Sequence, residues 1–246
     1  MTGTARSTSV RVVTRLDSTA SPAALVAESR ALLEASARSG IQTLRLFRVA
    51  PCVAFGPKDE RAPGYAAAAD VARRAGFEGV TRLEGGRAVA ADAGTLGIAW
   101  TVPGDDGRAR IRPRFSLLGA ALAEALRSLD VDAGVGGVRG EYCPGDFSVH
   151  ARGEVKLAGL GQRVTAHGAH LGATLVVEGA PRLRAVLASV NAALEVDWDP
   201  RTLGSVEEEI GAPMPIEVVA ARVLAALARS IDLNPSALDG HSEESP

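Results

Sequence analysis

Cysteine is scarce in this chain: there are two in 246 residues, Cys52 and Cys143, 91 positions apart. That excludes a disulfide framework and leaves no zinc-ligand spacing. Histidine is nearly as rare, with four, and His167 and His170 alone are too few ligands for a zinc ion. A metal-free protein is expected. Neither sign of charge is in excess: the net charge is −2, so no overall basic field draws in nucleic acid or an anionic membrane. No apolar run approaches the ~18 residues of a membrane span. The opening MTGTARSTSVRVV carries some positive charge but lacks the apolar run of about 7–15 residues of a signal peptide. The expectation is a cytoplasmic protein with reduced thiols, having neither nucleic acid nor membrane as partner. The nucleotide-binding G-x-G-x-x-G pattern is also missing, as are an internal repeat and a long linker.

What is present is ordinary for a globular protein, with 46% apolar and 23% charged residues. Ser21-Pro22 opens a helix, with serine as cap and proline at its first position, and Gly40 stops it. Strands are expected at 43–49, 52–55, 79–83, 95–102 and 169–177, and helices at 65–75, 181–194 and 216–229. Leu117, Leu118, Ala121, Leu122, Ala125, Leu126 and Leu129 form an apolar stripe at helical spacing over 116–129, which core packing explains. Residues 103–114 read as a polar loop and 233–246 as a frayed tail. The mixture predicts a single α/β domain, with a mixed, largely antiparallel sheet flanked by helices, over residues 1–235, and a disordered tail at 236–246.

Three places invite chemistry. Cys143 stands between Tyr142 and Pro144-Gly145, a turn that normally reaches solvent, whereas a packing cysteine sits among apolar neighbours as Cys52 does in CVAF. Gly85-Gly86 follows a predicted strand; it is either a plain tight turn or a place where a ligand approaches the backbone. Lys156, in KLAGLGQR, is either a strand-edge lysine or a cation beside glycine-thinned backbone, able to hold an oxyanion or to raise the thiolate fraction of a nearby thiol.

Taken together, Tyr142-Cys143-Pro144-Gly145, then Lys156, Gly159 and Gln162-Arg163, with the upstream block from Gly85 to Leu96, resemble the biotin/lipoate protein ligase and octanoyltransferase superfamily. Within it they look closest to the cysteine-dependent amidotransferases. The resemblance covers about residues 40–210. It implies a fold like the biotin/lipoate protein ligase catalytic domain and an acyltransferase acting on octanoyl or lipoyl groups, with no cofactor. Cys143 would be the acyl-accepting nucleophile and Lys156 would bind the acyl carbonyl region. Arg82, Gly85, Gly86, Arg87, Asp92, Gly159, Gln162 and Arg163 are the implied substrate-binding positions. The implied donor is the glycine-cleavage H protein or acyl carrier protein, and the acceptors are lipoyl domains of 2-oxoacid dehydrogenases. Glu84 and Arg87 depart from the amidotransferase pattern, and GGRAV is closer to the octanoyltransferases fed by acyl carrier protein. Ala91 stands where ATP-dependent lipoate ligases usually have histidine. An ATP-dependent lipoate or biotin ligase domain and an inactive acyl-binding module are the alternatives.

Spacing adds a geometric condition. A regular hairpin centred on Arg152-Gly153 sets Lys156 opposite Val149 and leaves Cys143 roughly 20 Å away. The thiol reaches the lysine only if residues 140–145 leave the strand and fold back over it.

Overall fold

The computed structural model describes residues 9–104 and 107–234, and every structural statement below concerns those residues. In chain order the elements are β1 (Val10–Ala20), α1 (Pro22–Ser39), β2 (Gln42–Val49), β3 (Cys52–Phe55), α2 (Pro57–Glu60), α3 (Tyr65–Arg74), β4 (Glu78–Thr81), β5 (Val89–Ala91) and β6 (Thr95–Pro103). They continue with α4 (Ile111–Arg127), β7 (Ala133–Val135), β8 (Val149–Ala151), β9 (Val155–Thr165), β10 (Gly168–Val176), α5 (Ala180–Ala193), α6 (Val206–Ile210), α7 (Ile216–Leu227) and β11 (Leu233–Asn234). Eight strands form one sheet in the order β11-β1-β2-β6-β10-β9-β8-β7, and β4-β3-β5 form a smaller one. Pairing of β1 with β11 and β2, and of β3 with β4, is parallel; every other pair is antiparallel.

Alternation along the central strands assigns the two faces of the large sheet. Leu44, Leu46, Ile98, Leu171 and Leu175 pack against Leu118, Leu122 and Leu126 of α4 and Val219, Val223 and Leu227 of α7. The opposite face carries Arg45 and Phe47 of β2, Gly97 of β6, Gly172 of β10 and Gly159 and Gly161 of β9. Over it lie α1 and the small sheet, which α3 and α5 back with a second core around Phe55, Phe77 and Leu187. Alanines, glycines and a buried arginine do not fill that face as leucines fill the other, so space remains between the layers.

The capping signals in the sequence are realised. Ser21 Oγ accepts the Ala24 N–H, Pro22 opens α1, and Gly40 closes it in the left-handed region at φ 71°. Three expectations need correction. Residues 103–114 are not all loop, because a 3₁₀ turn over Gly107–Arg110 leads into α4 five residues before the predicted stripe begins. Leu233–Asn234 is not frayed but pairs with Val10 and Arg11; the rest of the proposed tail, 236–246, lies outside the described residues. The hairpin register is shifted: a three-residue turn over 152–154 sets Lys156 opposite His150, not Val149, and a bulge between Val149 and His150 then sets Val149 opposite Ala158. No helix among the described residues is long and apolar enough to cross a membrane.

Gly64 shows how closely α3 approaches α5. A Cβ placed there would lie 1.9 Å from the Ala193 carbonyl oxygen, and backbone cannot swing aside as a side chain can. Gly64→Ala is expected to destabilise the fold by about 1–3 kcal/mol, read as a lower urea midpoint in equilibrium unfolding.

Candidate active site

The turn holding Cys143 is built around one carboxylate. Glu141, 2% exposed, accepts through Oε1 from the backbone N–H groups of Val138 (3.1 Å) and Gly145 (3.3 Å). Its Oε2 accepts from Ser148 Oγ at 2.7 Å and from the Lys156 ammonium at 2.6 Å. Lys156, 1% exposed, also donates to the Cys143 carbonyl oxygen at 2.6 Å and lies 4.6 Å from the Tyr142 ring centroid. Residues 140–145 therefore do leave the hairpin and fold over the lysine. Lys156 is not a strand-edge lysine; its side chain runs beneath Gly159, where a Cβ would lie 3.2 Å from its Cε. Its recorded bond to the cysteine is through the carbonyl oxygen and not through sulfur.

Sulfur is held by the double-glycine loop instead. The backbone N–H of Arg87 donates to Cys143 Sγ at 3.2 Å. Gly86 sits beneath the thiol at φ 101°, and a Cβ there would come within 2.8 Å of both Sγ and Arg82 Nη2. Gly86 is thus glycine for two reasons, backbone conformation and close approach. Arg82 fastens the loop, donating to the carbonyl oxygens of Ala54 (2.9 Å), Gly85 (2.9 Å) and Arg87 (2.7 Å). The Arg87 side chain turns away to the fully buried Asp59 at 3.1 Å, whose other oxygen accepts from Gly56 N–H. The Gly85-Gly86 segment is therefore a turn that also supports the Cys143 sulfur.

Cys143, half-buried, borders a cavity of about 500 Å³ between the large sheet and the layer of α1 and the small sheet. Leu25, Val26, Phe47, Val49, Val89 and Ala91 supply much of its apolar lining, and a volume of this size suits a small ligand. Arg82, Gly85, Gly86, Lys156, Gly159 and Gln162 border it as well. The Gln162 amide atoms are buried without a hydrogen-bond partner.

Three implied binding residues do not belong to this cavity: Asp92, Arg163 and Arg87, whose side chain turns to Asp59. Asp92 caps the turn before β6, accepting from the Gly94 N–H and pairing with Arg182 at 3.3 Å. Arg163 lies exposed on β9, opposite His170 in the ladder. Two residues that sequence reasoning passed over do belong to the site. Glu141 adjoins the Tyr-Cys-Pro-Gly run, but nothing in the spacing ties it to a lysine fifteen positions on. His170, 2% exposed, borders the cavity and lies with Nε2 3.2 Å from Glu84 Oε1. Among the described residues, no group of three or more His, Cys, Asp or Glu side chains is placed to hold a metal ion.

Comparison with known proteins agrees with this architecture. The fold matches a crystal structure of lipoate-protein ligase A bound with ATP, at a TM-score of 0.69 and 20% identity over 96% of this chain and 90% of that one. It also matches the bi-partite lipoate protein ligase of Thermoplasma acidophilum at a TM-score of 0.66 and 18% identity, covering 96% and 88% of the two chains. The fold is thus that of the lipoate-ligase catalytic domain. The family model for the lipoyl protein ligase A/B catalytic domain matches residues 21–228, and this chain belongs to that family. A relative from Exiguobacterium sibiricum, named octanoyl-GcvH:protein N-octanoyltransferase, is 32% identical over 198 residues, 76% of this chain and 71% of its own. Another from Listeria monocytogenes, named lipoyl-GcvH:protein N-lipoyltransferase, is 24% identical over 151 residues, 61% and 54% of the two chains.

The buried pair makes a quantitative prediction. Glu141→Ala strands the Lys156 ammonium and three further hydrogen-bond donors, and should lower stability by about 3–5 kcal/mol in urea unfolding. The two thiols should also differ sharply. Burial pushes Cys52 up to about 12, with Glu78 and Asp92 adding to the effect, so at pH 8 only about one molecule in 10⁴ carries its thiolate. Iodoacetamide on the native protein at pH 8 should add one label, at Cys143, and two after denaturation, as read by intact mass.

Proposed function

We propose that this chain is a cysteine-dependent acyltransferase of lipoate metabolism, carrying an octanoyl or lipoyl group through a thioester on Cys143. The observation that supports this most directly is Sγ held by the Arg87 N–H at the border of the apolar cavity. In the first half-reaction the thiolate adds to the donor's acyl carbonyl, forming a C–S bond, and the donor's C–N bond breaks. The leaving amine takes up a proton. In the second, the ε-amine of an acceptor lysine attacks the thioester, a C–N bond forms, the amine loses a proton and the thiolate departs. One amide is exchanged for another, so the bond type is conserved and no nucleotide is consumed.

Each neighbouring group has a part in this reading. The Arg87 N–H holds the sulfur in place, and Glu141 with Lys156 fixes the turn that presents it. Lys156, which borders the cavity, is the proposed cation for the developing oxyanion. Burying an eight-carbon chain in the cavity contributes about 5 kcal/mol at ~0.8 kcal/mol per methylene, enough to favour medium chains over acetyl. The names of the relatives join octanoyl or lipoyl groups to GcvH, the glycine-cleavage H protein, which makes it the preferred donor here over acyl carrier protein. Lipoyl domains of 2-oxoacid dehydrogenases are the proposed acceptors.

Octanoylated GcvH, incubated with the protein without ATP, should give an enzyme species one octanoyl group heavier, with the group mapped to Cys143. Cys143→Ser should carry no such thioester, and Cys143→Ala should lose transfer to a lipoyl domain by on the order of 10⁴-fold or more. Undiminished transfer by Cys143→Ala would end the nucleophile assignment, and a strict requirement for ATP would make the chain a ligase.

A further inference from the structure

Among the charged residues on the cavity that this chemistry leaves unused is Glu84. Glu84 immediately precedes the double glycine, and its side chain turns inward, 8% exposed. Its Oε1 lies 3.2 Å from His170 Nε2, and His170 Nδ1 lies 3.2 Å from Thr101 Oγ1. The room for it is cut out of the sheet. Gly161 of β9 and Gly172 of β10 are register partners. A Cβ on Gly161 would fall 2.8 Å from Glu84 Cβ, and one on Gly172 would fall 2.2 Å from Glu84 Oε1. Glu84, His170 and both glycines border the same cavity as Cys143.

We infer that Glu84 determines acyl-chain specificity: laid over the Gly161-Gly172 pair and tied to His170, it closes that side of the chamber and confines the acyl group to medium length. Without its side chain, two adjacent strands would expose bare glycine floor continuous with the chamber. A longer chain would gain roughly 0.8 kcal/mol for each methylene laid there. With the side chain in place, those methylenes meet occupied space and a carboxylate. Burial opposes ionisation of Glu84, but the His170 hydrogen bond and charge, with Arg82 behind them, hold its pKa below the ordinary carboxylate value. At neutral pH the wall therefore carries charge, and covering it with hydrocarbon strips solvation from that charge without replacing it.

This inference rests on the acyltransferase reading, and the test separates the two. Wild type is mixed with equal amounts of GcvH bearing octanoyl or dodecanoyl groups, and the two Cys143 thioesters are quantified by intact mass. A ratio taken within one tube is insensitive to how much of a variant is folded. Wild type should strongly favour octanoyl, and Glu84→Ala should raise the dodecanoyl-to-octanoyl ratio at least ~10-fold, with Glu84→Ser behaving alike. Glu84→Gln, which keeps the bulk and removes the charge, should fall between wild type and Glu84→Ala. An unchanged ratio in Glu84→Ala and Glu84→Ser would overturn the specificity role while leaving the transferase reading intact. No thioester in wild type with either donor would overturn that reading instead.

Discussion

A lysine and a glutamate buried against each other hold the rest of the site in place. Lys156 and Glu141 are each about 1% exposed in their side chains, and neither has water to fall back on. Two charges removed from solvent persist only when their hydrogen-bonding capacity is met, and here the turn meets it. Two backbone N–H groups and a serine hydroxyl complete the carboxylate, and the Cys143 carbonyl completes the ammonium. Proline at 144 suits that arrangement because it has no N–H to satisfy, while the N–H of Gly145 is one of the donors the carboxylate takes. The electrostatic requirement of the pair thus sets the path of the chain, and that path lifts the thiol out of the sheet.

The second constraint is steric. One face of the sheet is leucine-filled and carries α4 and α7; the other is thinned by Gly97, Gly159, Gly161 and Gly172. Those positions admit Phe47, the Lys156 stem and Glu84 close to the backbone. Glycine weakens a strand interior, and four on neighbouring strands would be a liability in a sheet whose only task was stability. Here the lost side-chain volume becomes the chamber. The seat of the lysine stem and the space between the layers therefore come from one pattern of omission on the central strands.

Much of this was legible in the sequence, for reasons that can be named. The start of α1 was readable because Ser21, Pro22 and Gly40 each act within a turn of the backbone. The stripe of α4 followed from helical periodicity, and the span of α7 was expected as a helix. The Tyr-Cys-Pro-Gly run and the glycine block carried a resemblance, and with it the nucleophile candidate and the fold. What escaped was long-range. β1 and β11 pair across more than two hundred residues, and the turn length that resets Lys156 by one position shows only once β8 and β9 pair. Asp92 and Arg163 sit in the recognised blocks, yet one caps a turn and the other faces solvent. Linear spacing does not say which side of a strand or turn looks inward. Glu141 and His170 were missed for the converse reason, since their partners are near only after folding.

Arg82 spans two structural units that are far apart in sequence, gripping the end of β3 through Ala54 and the glycine loop through Gly85 and Arg87. A planar guanidinium with five fixed donors can straddle three carbonyls; a lysine in its place offers one point charge on a freely turning stem. The small sheet and the support under the sulfur are in this way riveted into one plate. Any displacement of the small sheet therefore carries the thiol's footing with it.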